Sequence, residues 1–269
     1  MFDESPDRGP PVSLRGWLSD IYFPVLVDED ETSVAALLSR LGPKATLDDP
    51  IFGRSSGIKA LERVLADLSA WLKRHKAAYV KTHFTTGVDR DVTEGSLRLT
   101  LESKTVELPV AVVAERRRSR EVELRVYYST QPIAGTQAGR SPLVPEDRAI
   151  SLPSPVKDHV EALRAADVAG VIATFEADGL MREARGLRHE NASGLQEFYA
   201  KLFAGAPAGK GVEFLAGGAA DDGRTCALEY TLMRLCGKPV PPQAGLAVYE
   251  RGDGGLLRSV RVYDDLETA

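Results

Sequence analysis

"ELRVYYST", residues 123–130, and "SVRVYDDLET", residues 259–268, write Arg-Val-Tyr twice in one chain, at Arg125 and at Arg261, 136 positions apart. The match extends upstream. "LPVAVVAERRRSREVELRVYYS" and "PPQAGLAVYERGDGGLLRSVRVYDD" each give an apolar strand, a Glu-Arg turn and an alternating strand, which is a β-hairpin pattern. Glu115-Arg116 and Glu250-Arg251 fall 135 apart, one short of the Arg-Val-Tyr spacing, so the two turns are expected to differ by one residue.

The front halves repeat as well. "DETSVAALLSRLGPKATLDDPIFGRSSGIKALERVL" and "ADVAGVIATFEADGLMREARGLRHENASGLQEFYAKL" both read as helix, short extended piece, turn and helix. Val34, Leu37, Leu38 and Leu41 recur at helical spacing, as do Val168, Val171, Ile172 and Phe175. Ser56-Gly57 and Ser193-Gly194 each precede a second amphipathic helix. Helices followed by three or four antiparallel strands, written twice, define an α+β class and an internal duplication. The pattern predicts one unit over 12–133, a linker over 134–153 rich in Pro, Gly and Ser, and a second unit over 154–269.

Bulk properties fit two ordinary domains. The 269 residues are 43% hydrophobic and 27% charged, enough for a core in each half. Net charge is −5 with both signs interspersed, which argues against the basic face that nucleic acid or an anionic membrane demands. The basic run Arg116, Arg117, Arg118 and Arg120 lies between Glu115 and Glu121 and reads as a solvated hairpin tip. Cys226 and Cys236 lie too far apart along one extended segment to bridge, about 33 Å at strand spacing. No Cys/His cluster signals zinc, and no cofactor is expected. With "PVAVVA" the longest apolar run and a polar N-terminus, the expectation is a cytoplasmic, reduced protein with no membrane span.

"ATLDDPIFGRSSGIKALERVL" resembles the acid-Pro-x-Gly front motif of the NTF2-like superfamily, which includes the SnoaL-like polyketide cyclases and the ketosteroid isomerases. "GRTCALEYTLMRLCGKPVPPQAGLAVYERGDGGLLRSVRVYDDLE" looks like that superfamily's last three strands, and the likeness spans about 20–133 and 155–267. The resemblance implies two tandem cone-shaped domains, each a curved antiparallel sheet wrapped around helices, with a conical pocket. It also implies pairing of the two domains as an internal pseudo-dimer, with a homodimer as a further expectation, and a small hydrophobic molecule as ligand.

The resemblance carries candidate roles residue by residue. The isomerase acid that shuttles a proton beside a carbonyl falls on Asp49 in unit one and on Glu183 in unit two, where Ala184 stands in place of the Pro. An apolar cone would raise the pKa of such a carboxylate toward working pH; a solvated strand end or an Asx turn is the alternative. The isomerases stabilise the enolate with a Tyr on the first helix and a late-strand acid. The Tyr position falls near Phe23 and Tyr22 in unit one and near His159 in unit two, and the late-strand position, Gly245 to Ala247, holds no acid. Relatives resembling limonene-epoxide hydrolase use an Arg-x-Asp that is missing here, leaving Asp264 as a last-strand acid without partners.

A cyclase-type reaction asks only for one carboxylate in an apolar cavity, and unit two offers Glu183, Glu229, Asp264 and His189. Strand parity sends Glu229 and Tyr230 to opposite faces, and likewise Tyr263 and Asp264, without saying which face is inward. Trp17, Tyr22, Phe23 and Phe198, with Trp71, are candidate cone-lining aromatics, though such residues are more often core; His159, Glu229, Tyr230 and Tyr263 are further candidate ligand contacts. "GRSSGIK" lacks the spacing of a phosphate loop, and Asp222-Gly223 reads as a hairpin turn. Two functions follow: acid/base chemistry on a carbonyl compound of secondary metabolism (cyclisation, isomerisation or dehydration) with Glu183 as base, or a non-catalytic binding or scaffold protein. A pocket of roughly 300 Å³ or more containing Glu183 would favour the ligand site.

Overall fold

The computed structural model describes residues 17–27, 31–102, 104–117, 121–136, 139–263 and 265. Its first half runs α1 (Leu18–Val27), α2 (Glu31–Arg40), β1 (Thr46–Asp49), β2 (Gly53–Ser56), α3 (Ile58–Arg74), β3 (Ala78–Thr86), β4 (Arg90–Leu101), β5 (Lys104–Arg116) and β6 (Val122–Tyr127). A short helix, α4 (Gln131–Ala134), follows. The second half repeats the plan with α5 (Ser154–Ala165), α6 (Val168–Ala173), β7 (Phe175–Arg182), β8 (Arg188–Glu190), α7 (Asn191–Leu202), β9 (Glu213–Asp221), β10 (Thr225–Leu235), β11 (Lys238–Arg251) and β12 (Leu257–Val262). The two six-stranded sheets have the same order, β2-β1-β6-β5-β4-β3 and β8-β7-β12-β11-β10-β9. The protein is a tandem α+β duplication.

One expectation needs correction. The sheets are mixed rather than antiparallel, because the short front strands β1 and β7 lie parallel to the last strands β6 and β12. Parallel neighbours need a long crossover, and the helix and three-strand meander of each unit supply it. The pairing also aligns the halves: Asp48 sits opposite Arg125 and Arg182 opposite Arg261, which makes Asp49 and Glu183 equivalent positions. The extra residue of the second half is not in a turn. Both connections have the same length, 117–121 and 252–256, and the ladder slips at a bulge, where Glu250 and Arg251 oppose Ser259 and Leu257 and Arg258 is the added residue. Arg118 and Arg120 lie outside the described residues, whereas Arg116 stacks on the Trp17 ring at 4.7 Å.

Each sheet packs one face on its own helices. In unit one Leu124 and Val126 of β6 join Leu26, Leu61 and Leu65 in a core; in unit two Val260 of β12 joins Val160, Leu195 and Leu228. The opposite faces meet each other through Val92, Val113 and Tyr127 against Ala227, Val248 and Tyr263. Two buried carboxylates sit in this seam. Glu229 of β10 accepts from Arg125 Nε at 2.6 Å and Nη2 at 2.8 Å, from Tyr127 Oη at 2.7 Å and from Arg90 Nη1 at 2.8 Å. Glu94 of β4 accepts from Arg261 Nε at 2.6 Å and Nη2 at 2.8 Å, and from Tyr263 Oη. Each Arg-Val-Tyr therefore clamps a glutamate of the other unit, and Glu94 and Glu229 are themselves 135 positions apart. Glu115 and Glu250 brace the outer side of Arg125 and Arg261 at 2.7 and 3.0 Å.

Burial alone pushes both carboxyls up, but the charge and hydrogen bonds of Arg125 at Glu229, and of Arg261 at Glu94, more than offset it. Both end below the ordinary carboxylate range, so the stability they confer is full above that range and is lost as pH falls through it. Removing one partner of such a pair costs about 3–5 kcal/mol because the other charge is left buried. Glu229→Gln is expected to lose about that much in urea unfolding. Glu229→Gln combined with Arg125→Met should lose less than the sum of the two single changes; strict additivity would mean that the pair is not coupled.

Candidate functional site

The helices decide how full each unit is. In unit one α1 brings Tyr22, Phe23 and Leu26, all buried, into the space beneath the sheet. Tyr22 and Phe23 pack edge to face at 5.1 Å, and Phe23 stacks on Tyr79 at 5.2 Å. These aromatics belong to the buried core of the unit. Trp17 is not inside at all: it is 42% exposed and lies against Arg116 and Phe84.

Asp49 is buried against this core. Its Oδ1 accepts from the backbone N–H groups of Ile51 and Phe52 at 2.9 and 3.0 Å and from Tyr128 Oη at 2.9 Å. Burial raises its pKa, partly offset by those three donors and by Arg140. The Asx-turn geometry gives Asp49 a structural task, closing the turn between β1 and β2.

In unit two α5 places His159, Val156 and Val160 at the buried positions, and a cavity of 280 Å³ remains between helices and sheet. Its walls are largely apolar, with Leu163, Phe214, Leu232 and Val260 among them. The polar residues of its lining are Glu183, Arg185, His159, Tyr199, Tyr230, Tyr249 and Asp265. Strand parity is now resolved: Tyr230, Val260 and Val262 face the cavity, while Glu229, Arg261 and Tyr263 face the seam. Glu229 and Tyr263, expected as ligand contacts, are instead saturated by the domain pairing, since each unit's sheet has only one face left for it.

Glu183 follows β7 directly, its backbone N–H donating to Leu187 O at 2.9 Å across a tight turn. Its carboxylate Oε1 lies 2.8 Å from His189 Nε2, and Oε2 lies 3.7 Å from Arg185. The His189 ring stacks on Phe198 at 4.3 Å, and Phe198 forms part of the cavity wall. His189 thus links Glu183 to Phe198, and of the three it is Glu183 and Phe198 that line the cavity. Arg185 is held by Gln131 of α4 at 2.9 Å, and Thr130 grips Asp265 Oδ2 through its backbone N–H and hydroxyl at 2.6 and 2.8 Å. The end of unit one therefore props two polar residues of the unit-two cavity. Arg185, Tyr199 and Tyr249 were not singled out from the sequence, whereas Asp265 stands in the Asp264-Asp265 pair that the first copy of Arg-Val-Tyr lacks. Asp264 lies outside the described residues.

His159 is buried among Phe175, Tyr199 and Tyr249, with ring centroids 5.3, 6.1 and 5.7 Å away. Its Nδ1 is 3.0 Å from the Thr174 hydroxyl, whose proton goes to Val171 O at 2.6 Å. The hydroxyl can then only accept, so Nδ1 carries the imidazole proton. Desolvation drops the His159 pKa to about 3, so the ring is neutral at pH 7. Burial pushes the Tyr199 phenol up, which keeps it a donor.

No family model and no curated protein sequence matches the chain. Solved structures do, each over about one unit. A cystatin-fold protein from Novosphingobium aromaticivorans is 21% identical over 42% of this chain and 98% of its own, with a TM-score of 0.35. A protein with a ketosteroid isomerase-like fold from Catenulispora acidiphila, in complex with trimethylamine, is 19% identical over 43% of this chain and 88% of its own, TM-score 0.36. SalBIII, described as an epoxide hydrolase/cyclase-like enzyme in pyran ring formation in the polyether salinomycin, is 15% identical over 40% of this chain and 85% of its own, TM-score 0.33. Among the described residues no helix is long and apolar enough to cross a membrane, and no group of His, Cys, Asp and Glu has the geometry of a metal site.

A neutral buried histidine has a definite pH signature. Its folded pKa of about 3 lies below the ordinary 6.5, so the unfolded chain binds the extra proton and stability rises with pH between those values. His159→Phe should flatten the stability profile between about pH 4.5 and 6.5 by up to ~1.4 kcal/mol per pH unit. An unchanged slope in urea titrations over that window would show that His159 is not buried neutral.

Proposed function

We propose that unit two binds a small, largely apolar carbonyl compound and that Glu183 moves a proton on the carbon beside the carbonyl. The observation that carries this is the division between the two equivalent acids. Asp49 is tied to a turn under a filled core, whereas Glu183 stands at the wall of an apolar cavity of 280 Å³. That volume lies close to the lower end of small-molecule sites, about 300–1,000 Å³.

In this reading the Glu183 carboxylate takes the proton from carbon and the electron pair moves onto the carbonyl oxygen as an enolate. Tyr199 or Tyr230 donates a hydrogen bond to that oxygen. His189, 2.8 Å from Glu183, orients the carboxylate, and Arg185 lies within reach of its other oxygen. Returning the proton to a second carbon gives isomerisation, and attack of the enolate on another carbonyl gives ring closure. Ala247 lies in the cavity wall where the isomerases carry their second acid, so the enolate would rely on tyrosine alone. That feature supports a second reading, a binding protein with no turnover.

Deuterium wash-in at C2 of 1-tetralone in D2O, followed by NMR, separates the readings. The intact chain should accelerate exchange, Glu183→Gln should lose about 10²-fold or more of that acceleration, and His189→Gln should lose less. Binding without accelerated exchange would leave the non-catalytic reading. Ala247→Phe, which fills the cavity, should abolish binding of the same ketone at a stability cost of about 1–3 kcal/mol.

A further inference from the structure

The tyrosine of each Arg-Val-Tyr carries a guanidinium on its ring, and among the described residues only one of the two guanidiniums is paired with a carboxylate. Arg140 lies over Tyr127 at 5.0 Å, and Arg182 lies over Tyr263 at 4.5 Å. Arg140 finds the carboxylate of Asp48 at 3.7 Å and donates to Val126 O at 2.8 Å. Asp48 and Arg182 occupy equivalent positions in the two sheets, so on the second side the cation stands where the first side has its acid. Arg182 Nε and Nη2 are buried with no hydrogen-bond partner, and among the described residues no carboxylate pairs with this side chain.

Beside Arg182 a groove of 490 Å³ opens between β7, β8 and β12 of unit two and the edge strand β3 of unit one, where Thr82 and His83 line it. The acids along the groove do not answer Arg182. Glu190 is engaged by Arg188 at 2.9 Å, Glu250 by Arg261 at 3.0 Å and by Arg224 at 3.2 Å. Asp178, which also lines it, stands four residues back on β7, about 13 Å away at strand spacing. His83 has its pKa lowered first by burial and then by Arg261, opposed by Glu94 and Glu250, with Arg182 adding to the lowering.

We propose that this groove is an oxyanion site, in which a carboxylate or phosphate group binds Arg182, with His83 and Thr82 facing it from the other unit. A guanidinium with two nitrogens unpaired among the described residues, on a side chain that lines an open groove, is the situation an oxyanion resolves. The site is separate from the Glu183 cavity: it lies on the seam side of the same sheet, and it stands or falls independently of the carbonyl chemistry. Because both units contribute, an anion there would also fasten the two units together.

The test uses the full chain with inorganic phosphate and with acetate, each titrated at constant ionic strength against sodium chloride. The readouts are isothermal titration calorimetry and the His83 ring resonances. Saturable one-to-one binding that moves the His83 signals is expected for at least one of the two anions, and comparing them tells phosphate from carboxylate. Arg182→Gln should weaken it by at least about tenfold. Arg182→Lys, which keeps the charge and loses the fork, should fall between, and it also serves if the glutamine variant fails to fold. No saturable response to either anion, or undiminished binding in both variants, would overturn the assignment.

Discussion

A carboxylate buried between two sheets must be met by a cation, and here each unit supplies the cation for the other's acid. Glu229 is held by Arg125 and Tyr127, and Glu94 by Arg261 and Tyr263. A bidentate guanidinium and a phenol converging on one carboxylate admit a single alignment of the strands that carry them. The apolar contacts of the seam, Val92, Val113, Ala227 and Val248, would tolerate sliding by a residue; the clamps would not. Because the arrangement is reciprocal, neither sheet face is complete alone, and each unit's exposure of an unpaired buried charge would be costly. The pairing of the halves is thus built into the fold of each.

With the outer sheet faces committed to one another, only the inner faces are free to differ. Unit one fills its interior with Tyr22 and Phe23 from α1 and spends Asp49 on a turn. Unit two has a shorter set of buried residues on α5, including His159, and keeps 280 Å³ open. The filled unit still reaches the open one: Thr130 and Gln131, at the end of unit one's last strand, hold Asp265 and Arg185 at the cavity. One copy has become a support for the other.

How much of this could be read in advance depends on the range of the interaction. Hairpins such as Asp221 to Thr225, where Asp222 accepts from Arg224 and Thr225, declare themselves in three or four residues. The duplication was legible from spacing, whereas the equivalence of Asp49 and Glu183 was implied by the family resemblance and fixed by the strand register. The bulge at Arg258 and the parallel contact of β7 with β12 were not, because each depends on a strand's neighbour and not on the strand. Glu229 and Tyr263 were misjudged as ligand contacts for the same reason. A signal existed: Arg and Tyr two apart share a strand face, and Glu94 and Glu229 repeat at the same interval as the strands themselves.

The amino-acid order alone determined the two α+β units, their helices and hairpins, and which side chains must point opposite ways along each strand, since those follow from periodicities of 3.6 and 2. It could not say which of two opposite faces was inward. That was decided only when two sheets met, because burial is a property of the pair: Arg261 and Tyr263 became seam, Val260 and Val262 became cavity wall, and Glu183 came to stand beside an opening that Asp49, its counterpart, does not have.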